Sequence, residues 1–98
     1  MTRQQIIASI RANHALLEEF SVKSLFVFGS IVRGDTRPNS DVDMLVEFKL
    51  GTEIGLFDFI RLKNALSDLL DVTADLGMPE ALHPALKDDI LREAVHVA

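Results

Sequence analysis

Cysteine, tryptophan and tyrosine are absent from this sequence of 98 residues, and these absences limit what the protein can be. Without cysteine, the chain has neither a disulfide framework nor a thiolate metal site. Hydrophobic residues still make up 48% of the chain, which excludes a disordered polar polypeptide. The composition predicts one small domain, residues 1–98, with a largely aliphatic core and no room for a separate substrate-binding domain.

Positive charge and long apolar runs are also scarce. Ten lysines and arginines oppose fifteen acidic residues, which gives a net charge of -5 at pH 7, so we expect no direct binding of nucleic acid. No segment approaches the roughly 20 apolar residues of a membrane span, and the N-terminus has no signal-peptide pattern. We therefore expect a cytoplasmic protein. Because its net charge is negative, an anionic substrate is expected to bind together with metal ions or through local positively charged groups.

Hydrophobic spacing predicts the order helix, strand, strand, helix, strand, helix. The helices are expected at about residues 2–20, 56–70 and 86–95, and the strands at 23–28, 41–48 and 71–76. Residues 29–40 are expected to form a loop with about one helical turn. The fold class is α/β of the α+β kind, a small mixed sheet with helices packed on one face. The opposite face, which carries the acidic residues of the strands, is expected to be left open.

The strongest chemical signal is F-G-S-I-V-R-G-D-T-R-P-N-S-D-V-D, residues 28–43. A Gly-Ser turn after an apolar strand offers N–H groups and a hydroxyl to phosphate oxygens. Asp41 and Asp43 lie two residues apart on a strand, so both carboxylates point to one face and can share Mg²⁺. Asp75 lies on the third strand at a position where alternation points its side chain to the same face of the sheet as Asp41 and Asp43. These features predict phosphoryl or nucleotidyl transfer supported by metal ions.

The carboxylates are assigned roles from the chemistry of nucleotidyl transfer. Two divalent ions can stabilise the attacking and leaving oxygens, and they need several converging carboxylates. We assign Asp41 and Asp43 to both metal ions, and Asp75 to the ion that activates the nucleophile. Asp75 could also accept the proton of the nucleophile. The alternative for each of these three aspartates is that it is a solvent-exposed carboxylate on a strand with no role in catalysis.

The phosphates are assigned to the turn. Gly29 lets the backbone approach the triphosphate without a Cβ, and the Ser30 hydroxyl can bond the β- or γ-phosphate. Arg33 or Arg37 could neutralise the tail, although either could equally serve solubility. A dehalogenase-like phosphatase also uses D-x-D after a strand, but it would leave the Gly-Ser turn without a role. A small-molecule nucleotidyltransferase would need a second domain for its acceptor.

The chain resembles the nucleotidyltransferase superfamily related to DNA polymerase β, and in particular the minimal nucleotidyltransferase antitoxins of HEPN/MNT toxin–antitoxin pairs. The resemblance centres on residues 28–46 and extends to T-A-D-L around Asp75 and to the segment 79–95. It implies a palm-like fold in which Gly29 and Ser30 form the family's Gly-Ser turn. Asp41 and Asp43 match its paired aspartates, and Asp75 matches its third acidic residue.

The resemblance also implies an activity. It implies ATP as substrate, Mg²⁺ as cofactor (two ions, with Mn²⁺ possible), and transfer of AMP to a tyrosine hydroxyl of a partner HEPN ribonuclease toxin, which the modification silences. The alternative is a non-catalytic antitoxin that neutralises its toxin by binding and occlusion. The intact set of acidic residues favours catalysis, because converging carboxylates without a use would only repel one another.

Overall fold

The computed structural model describes residues 2–34 and 41–98. Its helices and strands are α1 (Arg3–Ala12), α2 (His14–Glu19), β1 (Val22–Phe28), α3 (Ser30–Arg33), β2 (Val42–Phe48), α4 (Leu56–Leu70), β3 (Ala74–Gly77), α5 (Pro84–Glu93) and β4 (Val95–His96). A 3-10 turn lies at Pro79–Ala81. The sheet has the order β3-β2-β1-β4, in which only the β2–β3 pair is parallel. The predicted mixed sheet with helices is confirmed.

The N-terminal helix begins as the sequence indicates but ends early. The Thr2 hydroxyl accepts the Gln5 N–H at 3.2 Å, and the Gln5 side chain accepts the Thr2 N–H at 2.8 Å, which completes a capping box. The expected continuous helix to residue 20 is wrong, because Asn13 leaves helical geometry with φ -115° and ψ 39°. Its side chain donates to the Ser9 carbonyl at 2.8 Å, a local bond that competes with the helix.

The core lies between one face of the sheet and the helices α1, α2 and α4. Residues of β1, β2 and β3 pack against apolar side chains of those helices. The buried residues of these elements are Ile6, Ile10, Leu17, Val22, Leu25, Val27, Val42, Met44, Val46, Leu62, Leu66, Leu70, Ala74 and Leu76. The other face is less open than expected. Leu45 shares it with Asp43 and is nevertheless fully buried.

The third strand is shorter than the sequence suggests. Asp71 adopts a left-handed conformation with φ 55° and ends α4, so it belongs to the helix cap. The Ala74 N–H then donates to the Ser67 hydroxyl of α4 at 2.9 Å, which ties the strand start to that helix. From there β3 runs parallel to β2 and pairs Asp75 with Asp43.

The C-terminal segment contains a strand that the sequence analysis did not predict. Helix α5 begins at Pro84, slightly before the expected residue 86, and the His83 ring accepts the Ala85 N–H at 3.1 Å as its cap. The chain then pairs with β1 as β4, and Val97 is buried against the core. In the part of the chain that the structure describes, no helix has the length and apolar character of a membrane span.

Candidate active site

A sharp turn between β1 and α3 forms one side of the candidate site. Gly29 has φ 77° and ψ -148°, a conformation that is essentially restricted to glycine. A Cβ at this position would collide with the Asp43 carboxylate, lying 3.2 Å from its Cγ and closer still to Oδ2. Glycine is therefore required here both for its backbone geometry and for space. Ser30 follows as the first residue of α3, and the buried Ile31 anchors that short helix to the core.

Two of the three candidate carboxylates meet across neighbouring strands. Asp43 on β2 and Asp75 on β3 are register partners in the parallel pair, and Asp75 acts on the Asp43 carboxyl group strongly enough to raise its pKa. Asp43 also pairs across the antiparallel ladder with Phe28, the residue before Gly29. The register of three strands thus brings Gly29, Asp43 and Asp75 to one place.

Asp41 immediately precedes β2 and is not paired with a residue of β3. It is exposed, as is Asp75, whereas Asp43 is half-buried. The charge of Asp41 nevertheless acts on Asp43. Across residues 2–34 and 41–98, no group of three acidic or histidine side chains forms a ready-made metal cage. The structure therefore brings Asp43 and Asp75 together and leaves Asp41 beside them.

The pKa of Asp43 is raised by its surroundings. Burial raises the pKa of its carboxyl group above the ordinary value, and the neighbouring Asp75 raises it further by charge repulsion and by a hydrogen bond. Asp41 adds a smaller repulsion, and the Arg33 guanidinium opposes these effects by lowering the pKa. A half-buried carboxyl group with two acidic neighbours is destabilised when ionised, and a bound cation would relieve that cost.

The raised pKa gives a pH dependence whose sign can be worked out. Between the ordinary aspartate pKa and the raised one, the folded protein binds more protons at Asp43 than the unfolded chain does, so this group's contribution to stability falls as pH rises. In EDTA, we expect the melting temperature of Asp43→Asn to exceed that of the wild type by a margin that grows as pH rises through this window. Thermal melts of both proteins at a series of pH values measure it.

Added Mg²⁺ should narrow that margin, because a bound cation stabilises only the wild-type carboxylate. A margin that stays constant with pH, or that shrinks as pH rises, would contradict the electrostatic account of Asp43.

Arg33 lies at the end of α3, on the same side as the acidic pair. Its Nη1 donates to the Glu93 carboxylate of α5 at 2.7 Å, and its charge reaches Asp43. The sequence analysis identified Arg33 but missed Glu93, which is 60 residues away. Only β4, which holds the end of α5 against β1, reveals that these residues meet. Arg37, the other cation considered for the phosphates, lies outside the described residues.

Sequence comparison finds similarity to a nucleotidyltransferase family model and to protein adenylyltransferases. The family model described as a nucleotidyltransferase domain matches residues 10–97. The chain is 39% identical to the protein adenylyltransferase MntA of Thermococcus cleftensis, over 99% of this chain and 97% of that protein. It is 42% identical to a candidate protein adenylyltransferase of Methanocaldococcus jannaschii, over 84% of this chain and 86% of that protein.

Solved structures show the same architecture. A candidate minimal nucleotidyltransferase, 38% identical, covers 97% of this chain and 95% of its own length with a TM-score of 0.79. A toxin–antitoxin structure with AMP-PNP aligns with a TM-score of 0.73 at 20% identity, over 94% of this chain and 72% of that one. A tri-AMPylated Shewanella oneidensis HEPN toxin in complex with MNT antitoxin gives 0.66 at 16% identity, over 95% and 71%. The last two similarities bear on the fold alone.

Proposed function

The chain belongs to the nucleotidyltransferase domain family, and within it to the protein adenylyltransferases that resemble MntA; from this premise we propose that it transfers AMP from ATP to a hydroxyl group of a partner HEPN ribonuclease toxin. In this role it is an antitoxin, and the acceptor is a tyrosine. Residues 1–98 act as one minimal domain, and the reaction takes place in the cytoplasm, where ATP and the target of a ribonuclease are found.

One observation carries the proposal. The Gly29 turn, which has no side chain, lies directly against the Asp43 carboxylate, and Asp43 pairs with Asp75 on the next strand. A turn that lets phosphate oxygens approach the backbone therefore lies beside two carboxylates. In the proposed reaction Ser30 and Arg33 hold the triphosphate, while Asp75 accepts the proton of the acceptor hydroxyl, directly or through water.

The donor set fits a hard divalent cation. Asp41, Asp43 and Asp75 offer only oxygen atoms, and the raised pKa of Asp43 indicates a place where positive charge is lacking. We propose that the three residues hold two Mg²⁺ ions, or Mn²⁺ in their place. When bound there, such ions would neutralise the charge that develops on the phosphate and on the attacking and leaving oxygens.

A partner protein is supported by the surface as well as by the relatives. Leu56 and Phe57, at the start of α4, are 72% and 81% exposed. Leu86 and Leu91 on α5 are exposed too, and α5 buries none of its residues. Large apolar side chains that are exposed at the start of α4 and along α5 are suited to being covered by another protein.

The proposal is tested by following the two ends of ATP separately. The product of the adjacent reading frame, which the proposal expects to be a HEPN protein, is incubated with this chain, Mg²⁺ and ATP labelled at either the α- or the γ-phosphate. Transfer of AMP should place the α-label on the HEPN protein and leave the γ-label in pyrophosphate. Label from the γ-position would indicate a kinase instead. A stable complex that acquires neither label under Mg²⁺ or Mn²⁺ would leave only neutralisation by occlusion.

A further inference from the structure

The ion pair between Arg33 and Glu93 joins the phosphate turn to the far end of the chain. The Arg33 Nη1 and the Glu93 Oε1 are 2.7 Å apart, a short bond between opposite charges. The Glu93 side chain is 27% exposed and that of Arg33 is 55% exposed. Three other ion pairs in the described part of the chain, His14–Glu18, Arg61–Asp58 and Arg92–Asp89, have distances of 3.3 to 3.8 Å and join residues three or four positions apart. The Arg33–Glu93 pair therefore has a shorter distance than these three pairs and joins residues much farther apart in the sequence.

Both ends of this ion pair are fixed by backbone structure. The Arg33 N–H donates to the Gly29 carbonyl at 3.2 Å, so the arginine is held directly to the turn that precedes it. Glu93 is the last residue of α5, and two residues later Val95 pairs with Val27 of β1. Since β1 leads into Gly29, the same strand positions the turn and the carboxylate that contacts Arg33.

An arginine that is already ordered binds a phosphate at a smaller cost in conformational entropy. Its side chain loses about 2 kcal/mol of rotamer entropy when it is fully immobilised. A partner that already orders it removes part of that cost from ligand binding. The bond to Glu93 is made by Nη1 of the guanidinium group. The charge of Arg33 also reaches Asp43, so the guanidinium lies near the acidic pair.

We propose that Glu93 is a positioning residue, which holds the Arg33 guanidinium beside the Gly29 turn so that the triphosphate meets an ordered cation. The inference rests on the proposed binding of ATP at Gly29, Ser30 and Arg33. Glu93 itself touches neither substrate nor metal. It acts through Arg33, and it makes the end of α5 a part of the nucleotide site.

The first test measures affinity for AMP-PNP by calorimetry in the presence of Mg²⁺. Glu93→Ala should weaken binding about three- to tenfold, the scale of ordering one long side chain. Glu93→Gln, which keeps an oxygen acceptor, should lie closer to the wild type. Asp89→Ala is the matched control, because Asp89 lies on the same helix and pairs with Arg92 at 3.3 Å; it should bind as the wild type does.

A double-mutant cycle separates positioning from a general structural effect. In an Arg33→Ala background, Glu93→Ala should have no further effect on AMP-PNP affinity, because the group it positions is gone. In transfer assays, Glu93→Ala should raise KM for ATP and leave kcat near the wild-type value at saturating ATP. Thermal melts of each variant confirm that it is folded under the assay conditions.

The outcomes distinguish this inference from the proposed function. Wild-type protein that binds no AMP-PNP would overturn both. Wild-type binding with Glu93→Ala equal to Asp89→Ala would overturn the positioning role alone. Tighter binding by Glu93→Ala would show that Glu93 competes with the triphosphate, which also contradicts the inference. A loss that persists in the Arg33→Ala background would assign Glu93 a structural role instead.

Discussion

Replacing Asp43 with asparagine is expected to abolish AMP transfer while leaving the protein folded and more stable in the absence of metal. Loss of a charged metal ligand should remove several kcal/mol of transition-state stabilisation, or about a thousandfold or more in rate. The same change removes a carboxylate whose pKa is raised by burial and by Asp75. Loss of activity together with a gain in melting temperature is a combination that simple disruption of the fold cannot give.

The measurement pairs the initial rate of AMP transfer with thermal unfolding in EDTA. Asp68→Asn is the control, because Asp68 is an exposed residue of α4. The substitution makes the same chemical change at a position away from the acidic pair. It should alter neither rate nor melting temperature. An Asp43→Asn protein that transfers AMP at a rate close to that of the wild type would show that the metal assignment is wrong. One that unfolds would show that Asp43 is structural.

Replacing Gly29 with alanine is the second change from which we expect a large effect. A side chain at φ 77° and ψ -148° costs about 1–3 kcal/mol in backbone strain, and the new Cβ would lie 3.2 Å from the Cγ of Asp43. The carboxylate or the turn must move, and either shift separates the phosphate turn from the acidic pair. AMP transfer should fall by two or more orders of magnitude, since misplacement by about 1 Å can cost a hundredfold.

Gly51→Ala supplies a matched control for this experiment. Gly51 has φ 80°, and a Cβ added there would meet no atom within 4 Å. Both variants should therefore lose stability through backbone strain, measured as a lower melting temperature. Only Gly29→Ala should also lose AMP transfer and affinity for AMP-PNP. Equal transfer rates in the two variants would indicate that the contact between Gly29 and Asp43 has no catalytic importance.

Much of the site could be predicted from local sequence because its signals are local. Residues 28–43 contain a turn residue, a strand and two alternating carboxylates, and alternation fixes which face each side chain takes. Alternation also indicated that Asp75 lies on the same face as Asp43, whereas their pairing is given only by the structure, in which the strand begins at Ala74 because Asp71 caps the preceding helix. Alternation alone could not show that Asp41 remains exposed outside the close pair.

Two of the features that the sequence did not predict depend on distant parts of the chain, and a third depends on a local side-chain bond. A two-residue strand such as β4 has too few residues to show a period, and only its pairing with β1 defines it. The Arg33–Glu93 ion pair then follows from that pairing. Asn13 breaks the first helix through a side-chain bond to Ser9, which hydrophobic spacing does not register, because apolar residues continue at helical intervals on both sides.

The central claim is that this chain adenylylates a HEPN partner at the site formed by the Gly29 turn and the acidic strands. The most direct test is the intact mass of the HEPN protein after incubation with this chain, ATP and Mg²⁺. The expected result is a gain of one or more AMP units that disappears in EDTA and with Asp43→Asn. An unchanged HEPN mass under both Mg²⁺ and Mn²⁺, with the two proteins bound to each other, would contradict the claim.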